Sequence, residues 1–91
     1  MDIYVVHWRQ CIDGEFSSGV LKPCYKNIES AREAMRADFD AKAKEWTEQV
    51  RGTEEAEHLV LHTKFDDFRN VTIECDTFDY IDWSVERLTV V

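Results

Sequence analysis

The chain opens on Ile3-Tyr4-Val5-Val6-His7-Trp8, where both alternating sets of side chains are largely apolar. That pattern predicts a strand covered on both faces, an interior member of a sheet. Asp13-Gly14 marks a turn. Gly19 to Tyr25 then predicts a second strand, antiparallel to the first. Pro23 lacks a ladder donor, so this strand belongs at an edge.

Asn27 to Gly52 carries the clearest periodicity. Ile28, Ala31, Met35, Phe39, Ala43, Trp46 and Val50 recur at spacings of three and four, one apolar stripe on an α-helix. Ser30 with Glu33 fits a capping box, and Asn27 competes with it as the cap. Arg51-Gly52 fits the C-terminal end. The outer face carries Arg32, Arg36, Asp40, Lys44 and Glu48 in mixed sign, several of them opposite charges at i,i+4. It reads as a solvated face.

Beyond the helix, Thr53 to Glu57 is a polar connector, and His58 to Phe65 alternates as a third strand. Asp66 to Asn70 reads as a loop. Val71, Ile73 and Cys75 alternate with polar residues, a fourth strand with one wet face and Cys75 turned inward. Asp76 to Asp82 reads as a second acidic loop, and Trp83 to Val91 as a last strand. The inward phase shifts between Val85 and Leu88, which predicts a β-bulge near Glu86-Arg87. The expected fold is a single α+β domain over residues 1–91, in the order β-β-α-β-β-β. Its helix lies across a mostly antiparallel sheet.

Charge adds an asymmetry that the apolar pattern does not contain. The net charge is −8 over 91 residues. Residues 1–27 balance to zero and residues 28–52 to −1, whereas residues 53–91 hold ten acids against Lys64, Arg69 and Arg87, a balance of −7. Such a chain is not expected to bind a phosphate backbone directly, since that requires basic residues. No apolar run is long enough for a membrane span. Met1-Asp2-Ile3-Tyr4-Val5 lacks the basic and apolar regions of a signal peptide. Three cysteines without a CxxC pair fit a reducing compartment. The expectation is a cytoplasmic protein, of a cell or of a phage-infected host, with three free thiols.

Candidate chemistry is sparse. His58-x-x-x-His62 would chelate a metal on a helix, but on a strand the two rings stand about 13 Å apart. A Cys–His pair from Cys11, Cys24 or Cys75 has no supporting motif, and the chain has no phosphate loop, nucleophile elbow or H-E-x-x-H. The expectation is a protein with no catalytic residues, metal or cofactor. The acids remain: Asp66 and Asp67 in one predicted loop, and Asp76, Asp79 and Asp82 in another, interleaved with Phe78 and Tyr80. They read either as solubilising groups or as an anionic surface with aromatic anchors for a basic protein.

The −7 segment and the run Asp76-Thr77-Phe78-Asp79-Tyr80-Ile81-Asp82 resemble, in type, the small acidic accessory proteins of phages and mobile elements, anti-CRISPR inhibitors among them. That resemblance implies a binding protein that offers carboxylates to the nucleic-acid groove of a basic partner. Two other readings stand beside it. One is a small enzyme or metal- or ligand-binding domain using His58, His62 or a cysteine. The other is a structural accessory protein that self-associates, as a homodimer, through an exposed edge strand.

Overall fold

The structure is a computed structural model, and it describes residues 1–74 and 78–91. The strands are β1 (Asp2–Ile12), β2 (Glu15–Val20), β3 (Leu59–His62), β4 (Phe68–Glu74) and β5 (Phe78–Thr89). The helix is α1 (Ile28–Val50), and a 3₁₀ turn (Glu54–His58) precedes β3. All pairings are antiparallel and the sheet runs β2-β1-β5-β4-β3. The α+β fold with order β-β-α-β-β-β is therefore as the sequence pattern requires, with β1 inside the sheet and β2 at its edge.

Asn27 caps α1. Its side-chain oxygen accepts from the Glu29 and Ser30 amides at 2.7 and 3.3 Å, so the capping role falls to Asn27 and not to Ser30. Gly52 takes a positive φ of 76° just after the helix, the conformation glycine tolerates best. The apolar stripe from Ala31 to Val50 is buried against β1, β4 and β5. Phe39 meets Trp83 edge-on with ring centroids 5.7 Å apart. The Trp83 indole N–H donates to the Asp38 carboxylate at 2.6 Å, which satisfies the one polar atom this ring carries into the core. On the outer face the ion pairs form at i,i+3, as in Glu29–Arg32, Lys42–Glu45 and Glu48–Arg51. The i,i+4 pairs expected from Asp40 and Lys44 are not among them.

Several boundaries differ from expectation. The second strand spans Glu15–Val20 rather than Gly19–Tyr25. Asp13 and Gly14 both hold positive φ, 52° and 81°, a two-residue hairpin turn that sends the chain straight back, so Glu15 pairs with Ile12 at once. Pro23 lies beyond the strand, and only Tyr25 returns to the sheet, through a bridge to Tyr4. The third strand shortens to Leu59–His62, with His58 in the 3₁₀ turn. β4 begins at Phe68, and its residues from Arg69 to Ile73 are buried on both faces. The expected wet face is filled because Asn70 and Thr72 lie between Asp82 and Tyr80 of β5 on one side and His62 and Val60 of β3 on the other. β5 begins at Phe78 and absorbs most of the expected acidic loop. It also runs without a bulge, its register to β1 unbroken from Tyr80 to Thr89. The phase shift arises because the last residues of β5, Leu88 among them, are exposed. Cys75 and its expected inward orientation lie outside the described residues.

Candidate functional site

Strand alternation assigns every side chain of the sheet to one of two faces. The helix covers the face bearing Val6 and Trp8 of β1, Ile81 and Trp83 of β5, and Val71 and Ile73 of β4. Among the described residues no helix covers the other face. Register places its side chains in rows across the strands. One row is Ser18, Arg9, Asp82, Asn70 and His62; the next is Phe16, Cys11, Tyr80, Thr72 and Val60.

The first of these rows is polar and connected. Asp82 accepts from the Asn70 side-chain amide and from Arg9 Nη2 at 3.4 Å. The Thr72 hydroxyl donates to the Asn70 side-chain oxygen. Asn70 and Thr72 are buried, and the Asp82 side chain is only 16% exposed. Nearer the far end of the sheet, His7 Nε2 and Glu86 Oε2 stand 2.7 Å apart. The second row is mostly apolar and partly open. Phe16 is 77% exposed and Cys11 buried beside it. Phe78 is 53% exposed and leans on Tyr80 with centroids 5.7 Å apart, the planes tilted by 59°. Phe16, Tyr80 and Phe78 thus form an aromatic strip on the uncovered face at one end of the sheet.

Acids collect around that end. The Asp13-Gly14 turn, the 3₁₀ turn with Glu54, Glu55 and Glu57, and the facing ends of β4 and β5 with Glu74 all lie there. Asp79 accepts from the Asp13 amide at 3.1 Å, which draws the two carboxyl-bearing segments together. A cavity of about 250 Å³ lined by Asp79, Glu55, Trp46 and Lys42 opens on the helix side of this end. Its cation is taken, since Lys42 pairs with Glu45 at 3.5 Å.

The seven residues expected to form one partner-binding surface are distributed differently. Asp66 and Asp67 lie in the β3–β4 loop, at the opposite end of the sheet from Phe78. There Asp67 accepts from Arg32 Nε at 2.7 Å. This hydrogen bond, with a second from Arg32 to Glu29, raises the guanidinium's pKa further above its already high ordinary value. Phe78, Asp79, Tyr80 and Asp82 belong to a strand, not a loop, so they alternate between faces. Phe78, Tyr80 and Asp82 point to the uncovered face, and Asp79 to the helix side. Asp76 lies outside the described residues. Phe16, Glu15 and Asp13 join the aromatic and acidic end although they are far away in sequence. The signal for them was the Asp13-Gly14 turn, which returns the chain beside β1 and carries Phe16 next to Cys11.

His58 and His62 are both exposed, one ending the 3₁₀ turn and the other ending β3. Among the described residues no group of three or more His, Cys, Asp or Glu side chains is placed to hold a metal ion. Cys11 and Cys24 are free thiols. Among the described residues no helix is long and apolar enough to cross a membrane. No protein-family model, curated protein or solved structure matches the chain.

Proposed function

We propose that this is a non-enzymatic binding protein that engages a basic protein through the Phe78–Tyr80 pair of the uncovered sheet face and the acidic end beside it. The observation that carries the reading is the adjacency of Phe78, exposed and backed by Tyr80, to Glu74, which faces it across β4 and β5, with the Asp13 turn tied to the neighbouring Asp79. Aromatic anchors supply contact area at low entropic cost, and a rim of like charges selects a partner of opposite sign and speeds its approach. The partner this fits is a protein surface with Lys and Arg around an apolar recess. Nucleic-acid-handling enzymes present basic grooves of this kind, in keeping with the resemblance to phage inhibitors. Asp82 is not counted in the contact surface, because its carboxylate is committed to Asn70 and Arg9.

The test is affinity capture from bacterial lysate with four baits: the wild type, Phe78→Ala, the pair Glu74→Gln with Asp13→Asn, and the helix control Glu33→Gln with Asp40→Asn. The expected result is a partner retained at low salt by the wild type and the helix control, released as salt is raised, and lost from the other two baits. Phe78→Ala should cost more than about 1 kcal/mol of binding while leaving the melting temperature nearly unchanged. Capture that is insensitive to both Phe78 and the acids would remove this end of the sheet from the mechanism.

A further inference from the structure

The sheet has two edges, and they are unlike. β3 is only four residues long, and an edge that short resists pairing even though Val60 and Leu61 are exposed on it. β2 has six residues, no proline, no lysine and no bulge, and almost all of it is exposed. Among the described residues no strand pairs with its outer side.

The hydrogen-bonding direction of β2 follows from three bonds. The Leu21 amide donates to the Val6 carbonyl at 3.1 Å, and Tyr4 and Tyr25 exchange bonds of 2.8 and 2.7 Å. Even-numbered residues of β1 therefore aim their backbone groups at β2, and odd-numbered residues of β2 aim theirs at β1. By the alternation of an antiparallel ladder, Phe16, Ser18 and Val20 present N–H and C=O outward. These are also the residues whose side chains lie on the uncovered face, where Phe16 is 77% and Val20 46% exposed.

We infer that β2 pairs antiparallel with β2 of a second copy about a twofold axis at Ser18, joining two five-stranded sheets into one continuous sheet. Outward backbone groups must meet outward groups, and centring on Ser18 matches all three. Ser18 then faces the second copy's Ser18, and Phe16 faces the second copy's Val20. The two most exposed apolar side chains of the strand cover each other twice, once on each side of the axis. Charge fits the same register. The chain's net charge of −8 opposes self-association over most of its surface, but residues 1–27 balance to zero. β2 runs from an acidic end at Asp13 and Glu15 to Lys22, so the twofold sets Gly14 opposite the second copy's Lys22, with Asp13 and Glu15 beside that ammonium. One clash guards the geometry from within: a Cβ on Gly19 would stand 2.9 Å from the Trp8 ring, so the bare backbone here lets Trp8 pack under β2 and hold the edge in place.

The test is sedimentation equilibrium of the full chain over a concentration series, with amide hydrogen exchange read residue by residue. The wild type is expected to be dimeric, with the Phe16, Ser18 and Val20 amides protected in the dimer and released on dilution. The Ser17 and Gly19 amides bond to β1 and stay protected throughout. Ser18→Pro removes both hydrogen bonds that the Ser18 pair exchanges, yet none to β1, and should raise the dimer dissociation constant about a hundredfold with an unchanged far-UV circular dichroism spectrum. Should the proline variant fail to fold, Ser18→Lys sets two ammonium groups face to face across the axis and should also yield monomers. Phe78→Ala, at the site of the proposed partner, should leave the dimer intact. A monomeric wild type, a dimer that survives both Ser18 variants, or unprotected amides at 16, 18 and 20 in a dimer would each overturn the inference.

Discussion

Asp82 and Asp66 are both acids of the C-terminal half, yet their surroundings give them opposite roles. The Asp82 carboxylate sits mid-sheet with Asn70 and Arg9 as partners. Asp66 is exposed in the β3–β4 loop. Removing one member of a buried polar network leaves its partner unsatisfied, which costs more than the bond itself contributed. Asp82→Ala should therefore destabilise by about 1–3 kcal/mol through the stranded Asn70 amide, whereas Asp66→Ala should stay within about 0.5 kcal/mol of wild type. Urea denaturation of both variants checks this. Equal midpoints would mean that the Asp82–Asn70–Thr72 row is not a working network. Spacing along the chain makes the two residues look alike; only the neighbouring strands separate them.

At the scale of elements, local chemistry decided most of what formed. α1 follows from its apolar stripe and from the cap that Asn27 makes with two amides. Asn27→Ala should cost about 1 kcal/mol, and Ser30→Ala close to nothing, because the Ser30 side chain caps no amide. Thermal melting of the two variants distinguishes them, and a loss confined to Ser30→Ala would restore the capping box. Strand boundaries were less legible. Both central residues of the Asp13-Gly14 turn hold positive φ, which commits the chain to a tight hairpin and starts β2 four residues earlier than its apolar residues suggest. β5 shows the complementary case. Asp79 and Asp82 look like loop residues by composition, but pairing with β4 and β1 on both sides holds them in a strand.

For the molecule as a whole, one core joins elements from every part of the chain. Trp46 of α1, Val6 of β1, Val71 of β4 and Trp83 of β5 share it. Trp46→Ala should cost about 3–5 kcal/mol, a large part of what a domain of this size has in total. A melting temperature within a few degrees of wild type would contradict the helix-on-sheet core. The uncovered face is the counterpart of that core. Among the described residues, one α-helix covers one side of the five-stranded sheet and no helix covers the other. The other side holds a satisfied polar row, flanked by an aromatic strip at its acidic end.

The sequence by itself determined the helix, its buried stripe, the interior place of β1 and the α+β order. Each of these depends on periodicity or on a nearby turn or cap, interactions that span a few residues. It also located the negative excess in residues 53–91. Only the tertiary structure decided which of those acids share a surface. Antiparallel register brings Asp13 and Glu15 to the end of the sheet that holds Phe78, and sends Asp66 and Asp67 to the other end. It also turns Asp82 into a half-buried hydrogen-bond acceptor. The physical reason is that a side chain's face follows from residue parity along its own strand, while its neighbours across the sheet follow from register. Register is set by hairpins and by the core as a whole, and no window along the chain contains it.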